Sequence, residues 1–553
     1  MTQRPIFESR PVAGVLLVLI SLLVFLPGFF SLPVVDRDEG RFVQATKQMV
    51  QSGDWVDIRF REATRYKKPV GIYWLQASAI KLLGFDERAP IWVYRLPSLL
   101  GSIAAVLLSY LLFCRFVAVR VAFGGALLLG LSLVIAGEAR LAKTDAVLLA
   151  CIVAAQFALA ALYSTQLPGA ATARLPRWIP WAFWLAIGAS VLVKGPIGPL
   201  VVGATVGVLA VLERPARWLR PLLHVPAIVA GVLVFLPWLI AISLRSQGAF
   251  FEQSIGEDFT QKILSGQEGH GAPPGTHTLL LLLTFWPGSA LLIACIRGWR
   301  GVPRTPWGRF ALAWAVPTWL LFELTPTKLL HYLLPIFPAL ALIAAQLWLG
   351  NPAPAAGRVE RAIAGWVVML GPALLAGLIV SAGLVGEATP LIALAALAAS
   401  AALGLAAARS LWIGRKIAAL WQLGLLAAVT YAGIFAAAGS RDHFWPSNAV
   451  VARLDAAKSS GEICTDPQLL NVGYDEPSLI WYTSKETARV TADQAAQALA
   501  SGRCTVVIVE SRFVAEVETS LRAASVNTRR IGEPIDGFAI GAGRSVTLQL
   551  LTR

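Results

Sequence analysis

The chain has 553 residues, of which 56% are hydrophobic and only 14% charged, and its mean hydropathy is +0.66. A water-soluble domain carries about 25% charged residues, so this composition excludes an ordinary globular enzyme and points to a protein built for lipid. The net charge of +15 does not call for nucleic acid, because no loop interleaves basic and aromatic residues as a nucleic-acid surface does.

Uninterrupted apolar stretches of roughly 17–25 residues mark about thirteen candidate membrane helices. They fall at 11–32, 91–113, 118–136, 145–163, 178–193, 196–213, 221–244, 278–296, 309–324, 329–349, 361–382, 388–408 and 417–438. The first is read as a retained helix, since PGFFSLPVVD after it offers no small-x-small cleavage site. With a cytoplasmic N-terminus, the short loops at 115–120, 174–177, 213–220, 297–309, 358–361 and 409–416 all lie inside, and each is rich in Arg or Lys. The opposite short loops are sparse in bases, which predicts an odd number of spans and an external C-terminus.

Between the first two spans, residues 33–90 are too many for a simple connection. The segment begins VVDRDEGRFV, with Asp36, Arg37, Asp38, Glu39 and Arg41 crowded behind an apolar helix. QATKQMVQSGDW follows as an amphipathic helix with Phe42, Ala45 and Met49 on one face, and VGIYWLQASAIKLLGF as a second. A second outer segment, 245–277, carries Phe250, Phe251, Phe259 and the glycine-rich SGQEGHGAPPG, and could order around a ligand. From 440 to 553 the pattern changes: GRCTVVIVES and RSVTLQLLTR read as strands, TADQAAQALAS and VAEVETSLRAA as helices. This predicts a small external α/β domain. Cys114, Cys151 and Cys295 fall in or beside spans as packing residues, and spacing alone leaves open whether Cys464 and Cys504 pair in the tail.

Cations on the outer side oppose the topological bias and need a reason. Loop 33–90 supplies Arg37, Arg41, Arg65, Lys67 and Lys68, and other outer junctions supply Arg140, Lys143 and Asp145 (GEARLAKTDA), Lys194 (VLVKGPIGP), and Lys328 with His331 (TPTKLLHYLLP). One such cation can pair locally or snorkel to headgroups. The set, drawn from several helices, instead suggests an electropositive pocket for a lipid phosphate. Asp38 either caps the helix after it or stands at the pocket mouth as a base or acceptor-orienting group, with Arg37 and Arg41 keeping it ionised.

The order D-E-x-R (Asp38, Glu39, Arg41), S-G-D-W (52–55), Y-x-K-P (Tyr66, Lys68, Pro69), R-L-x-K-T-D-A (140–146), V-K-G-P (193–196) and K-L-x-H-Y-x-L-P (328–335) resembles the lipid-linked sugar transferases of the aminoarabinose transferase and protein O-mannosyltransferase superfamily. The resemblance implies a GT-C fold: an all-α polytopic membrane domain of about thirteen helices over 1–439, then a small α/β domain over 440–553. It implies transfer of a sugar from undecaprenyl phosphate to lipid A or a related glycolipid at the periplasmic face of a bacterial inner membrane, with anomeric inversion. Asp38 then takes the catalytic position, and Lys68, Arg41 and Lys194 bind the donor phosphate. Glu39, Tyr66, Arg140, Lys143, Asp145, Lys328, His331 and Tyr332 line the cavity or receive the acceptor. No cofactor is required, although a divalent metal stays open and its ligands are unassigned. One departure is Lys67, where the aminoarabinose enzymes often carry an acid, which weakens the case for an amino sugar. Three rival readings are a protein O-glycosyltransferase of the same fold, a transporter or flippase for a lipid-linked sugar, and a non-catalytic scaffold that would tolerate loss of Asp38. Against the flippase stand the lack of an internal repeat and the gathering of charge on one side of the membrane.

Overall fold

The computed structural model describes residues 9–167, 175–259, 271–350, 357–483 and 487–553. Among them, six helices are long and apolar enough to cross a membrane: Ile91–Phe113, Asp145–Ser164, Val225–Ser246, Arg358–Leu384, Leu391–Ile413 and Lys416–Gly439. Shorter apolar helices run over Arg10–Phe25, Val119–Leu131, Ile179–Lys194, Ile197–Leu212 and Leu334–Leu349. The chain is a multi-pass membrane protein.

Several expected spans are interrupted. The first helix stops at Phe25 rather than 32, just ahead of Pro27 and of Gly28, whose φ is +78°. The stretch expected at 278–296 is two pieces, Thr276–Thr284 and Gly288–Ala294, bent by 113° at a break containing Pro287. The stretch at 118–136 breaks at Ser132, which adopts an extended backbone. Arg174 and residues 265–270 of the glycine-rich segment lie outside the described residues.

Residues 33–90 form two helices, Asp38–Ser52 and Gly71–Leu82, with a two-stranded hairpin, Arg59–Phe60 against Ala63–Thr64, between them. Phe42, Ala45 and Met49 are buried together with Tyr73, Trp238 and Phe250, so the amphipathic face packs on protein. The tail forms a mixed sheet. Ala488–Arg489, Gln468–Val472 and Thr505–Glu510 run parallel, and Arg544–Thr552 continues the sheet antiparallel to the last of these. On the far side of Arg544–Thr552 pair Arg529–Arg530 and Ile535–Ala539. Both predicted strands and both predicted helices (Ala492–Ala500 and Val514–Ala523) are present, and Cys464 and Cys504 are joined by a disulfide.

The tail docks on the loop helices. The N–H of Ser478 donates to Asp36 Oδ1 at 3.0 Å, Val34 N donates to the Tyr482 hydroxyl at 2.9 Å, and Trp481 meets Tyr94 edge-on. Gly40 faces Pro477 so closely that a Cβ there would sit 3.0 Å from the proline side chain, so the helix and the tail approach through a missing side chain.

Candidate active site

A cavity of about 430 Å³ opens where the ends of several helices meet. Its walls are mostly apolar and include Leu148, Leu149, Leu192, Phe235, Trp238 and Phe250. Its polar lining comes from Lys67, Lys68, Asp145, Lys194, His331 and Tyr332. Sequence-distant turns supply these groups: Lys194 ends one helix, Asp145 begins another, and His331 lies in the turns before Leu334–Leu349.

The charges there form an alternating chain. Lys194 Nζ lies 2.5 Å from Asp145 Oδ1, with Lys143 Nζ 3.9 Å from Asp145 Oδ2 and 2.7 Å from Glu138 Oε1. His331 Nε2 is 3.7 Å from Asp145 Oδ1. Such buried charges are tolerated among apolar helices because each faces a partner or the cavity. Glu138 went unnoticed in the sequence; the signal was a lone acid at the end of an apolar stretch, five residues before Lys143.

Asp38 lies within electrostatic reach of this chain. It is the first residue of its helix, and the N-cap position falls to Arg37, so Asp38 is not the capping residue. Burial alone would raise the carboxyl, and nearby charge outweighs it: Lys143 first, then His331 and Arg65, hold Asp38 below the usual carboxylate range. His331 acts this way only when protonated, and burial holds its imidazole well below the ordinary histidine range, so Lys143 and Arg65 carry the effect. The expected partners Arg37 and Arg41 do not carry it. Arg41 acts on Asp36, and Arg37 on Glu476. Arg41 is also absent from the cavity lining that holds Lys68 and Lys194.

Four expected cavity residues are engaged elsewhere. Glu39 is buried and saturated: Arg95 Nε and Nη2 donate to its two oxygens at 2.8 and 2.9 Å, and the N–H groups of Ala142 and Val35 donate at 2.8 and 2.9 Å. Arg95 also binds the carbonyls of Phe29, Leu32 and Pro33. Arg140 donates to the carbonyls of Pro27, Ala136 and Val24 and lies over the Phe435 ring, 4.0 Å from its centroid. Lys328 donates to the carbonyls of Phe322, Glu323 and Thr325, closing the C-terminal end of the helix Pro306–Leu324. Tyr66 donates its hydroxyl to Asp57 Oδ1 at 2.8 Å and stacks edge-on against Phe250. The common physical reason is that the nearest unsatisfied backbone or carboxylate groups claim these side chains before the cavity can.

Ligand atoms of Glu138, Asp145 and His331 lie within 4.8 Å of one another, a spacing that could hold a cation. The ammonium groups of Lys143 and Lys194 already neutralise both carboxylates, so a divalent ion does not fit without displacing them.

Comparison with known proteins agrees with this architecture. The family model for dolichyl-phosphate-mannose-protein mannosyltransferases matches residues 67–240. The chain superimposes on the crystal structure of ArnT from Cupriavidus metallidurans bound to undecaprenyl phosphate with a TM-score of 0.70, at 18% identity and over 97% of both chains. Superposition on the archaeal oligosaccharyltransferase AglB from Archaeoglobus fulgidus gives a TM-score of 0.52 at 13% identity, over 91% of this chain and 69% of that one. In sequence it is 29% identical over 380 residues to an undecaprenyl phosphate-alpha-4-amino-4-deoxy-L-arabinose arabinosyl transferase of Pectobacterium carotovorum. In sequence and fold the chain is similar to members of the aminoarabinose transferase and protein O-mannosyltransferase superfamily. It has the GT-C fold of that superfamily. The Pectobacterium match takes in 68% of this chain and 66% of the relative, just under two thirds of it. A similarly named enzyme of Pseudomonas aeruginosa is 28% identical over 344 residues, 60% of each chain.

Proposed function

We propose that this protein belongs to that superfamily and transfers a sugar from undecaprenyl phosphate to lipid A or a related glycolipid at the periplasmic face of the inner membrane. The observation that carries the reading is the cavity itself, whose apolar walls suit a prenyl chain and end at Lys68, Lys194, Asp145 and His331, with Asp38 nearby. The names and structures of the relatives support the donor class.

In this reaction an acceptor oxygen forms a bond to the anomeric carbon from one face while the bond from that carbon to the donor phosphate oxygen breaks on the other. The electron pair leaves with the phosphate, and the anomeric centre inverts. Lys68 and Lys194 stabilise the growing negative charge on the phosphate. Asp38 orients the acceptor and takes its proton when the acceptor is a hydroxyl; an acceptor phosphate is already ionised, so there positioning dominates. Lys143 and Lys194 supply positive charge where a metal would otherwise sit, and the transfer needs no divalent ion.

The membrane domain is assigned to 1–439 and the α/β domain to 440–553. A count of thirteen spans is supported by adding the bent pair and Pro306–Leu324 to the six long and five shorter apolar helices. The arginine-rich short loops support a cytoplasmic N-terminus and a periplasmic tail.

Purified protein in liposomes, given a radiolabelled undecaprenyl-phosphate sugar and a total lipid extract, tests the reading. Label should move to a slower-migrating lipid with the wild type and not with Asp38→Asn or Lys68→Ala. Label crossing the bilayer without covalent transfer would instead make the protein a flippase.

A further inference from the structure

Asp38 and Phe42 are four residues apart and so share one face of the helix Asp38–Ser52. The Arg65 guanidinium lies over the Phe42 ring, 5.2 Å from its centroid. The Tyr73 ring packs 5.5 Å from that of Phe42, and its hydroxyl sits beside the same guanidinium. Backbone geometry holds Arg65 in place: it directly follows the hairpin strand Ala63–Thr64, and its N–H donates to Ile58 O at 2.7 Å. The guanidinium Nε is buried with no hydrogen-bond partner among the described residues. Arg65 is therefore unlike Arg95, whose guanidinium is spent on Glu39 and three carbonyls.

We propose that Arg65 is a positioning residue that, held over Phe42 one turn from Asp38, keeps the Asp38 carboxylate ionised for the acceptor. The inference rests on the transferase reading given above. The groups facing Asp38 are Lys143, His331, Arg65 and Asp145, with Tyr73 alongside. Lys143 is shared among Asp38, Glu138 and Asp145, and Asp145 opposes ionisation. Arg65 is the cation whose effect on Asp38 is not divided with a second bridged carboxylate among the described residues. Stacking on Phe42 fixes the guanidinium beside a residue one helical turn from Asp38.

The test is the pH profile of kcat/KM for label transfer by the wild type, Arg65→Gln and Arg65→Lys. Removing the cation should move the acidic limb of the profile up by about one pH unit. The loss is then about tenfold below the limb and closes as the pH rises. Arg65→Lys should keep the wild-type limb, and the KM for the donor should stay unchanged in both variants, because Lys68 and Lys194 are intact. A purely structural role for Arg65 predicts an equal loss at every pH with the limb unmoved, and that result overturns the proposal. A wild type that transfers no label would sink the transferase reading and this inference together, whereas an unmoved limb sinks this inference alone.

Discussion

Two sets of buried charge lie close together at one end of this helical bundle, and they differ in how fully their bonds are used. In the clamp, Glu39 and Arg95 spend their polar atoms on each other and on backbone, and Arg140 does the same with three carbonyls. In the cavity, Lys194, Asp145 and His331 are paired but also face an open volume. Charge in a membrane protein is costly in both places. A saturated set repays the cost by fixing the chain; a set that opens onto a cavity leaves charge available to a ligand.

The largest effect should follow from breaking the clamp. Glu39→Ala strands the Arg95 guanidinium, at a cost of about 3–5 kcal/mol, and should sharply lower the yield of folded protein and its melting temperature. The pair Glu39→Leu with Arg95→Met should recover much of that loss in a thermal melt, since removing both partners leaves no orphaned charge. In the cavity the order reverses: Lys194→Ala should cost less stability than Glu39→Ala, because Lys143 still faces Asp145, and should cut transfer by about 10²–10³-fold, the scale for loss of a group that stabilises developing charge.

A smaller effect separates the cavity from the joint between loop and tail. Burial pushes Asp36 up to about 6, and burial together with the Asp36 charge pushes Glu476 up to about 7. Arg41 and Arg37 oppose these rises only in part. Both acids therefore bind protons more tightly docked than free, so the docked tail is most stable below about pH 4, the ordinary carboxylate range, and loses stability as pH rises through 6 to 7. Amide exchange over 446–483 should be faster at pH 8 than at pH 5 after correction for intrinsic rates. The smallest effect should be that of a chelator: EDTA should leave transfer unchanged, and lost activity restored by one divalent ion would contradict the assignment of that charge to Lys143 and Lys194.

Much of the fold could be read directly from the sequence, because apolar length is a strong signal. Ile91–Phe113 begins and ends where its hydropathy does. The breaks at Ser132 and around Pro287 were not legible, since short interruptions barely change the hydropathy of a window. For the site, the motifs located Lys68, Lys194, Asp145, His331 and Tyr332 on one cavity. They also drew in Glu39, Arg140 and Lys328, because a sequence shows that a charge lies at a helix end and hides what that charge is bonded to. Lys328 illustrates this: its partners are the last carbonyls of the preceding helix, and a lysine shortly after a helix C-terminus can read equally as a cap or as a ligand.

The most direct measurement is the affinity for undecaprenyl phosphate in detergent, compared among the wild type, Lys68→Ala, Lys194→Ala and Lys328→Met. Binding should weaken at least tenfold in the two cavity variants, the scale of a charged hydrogen bond to phosphate, and should stay at the wild-type level in folded Lys328→Met. Equal weakening in all three, or none in Lys68→Ala and Lys194→Ala, would contradict the division between scaffold charges and site charges.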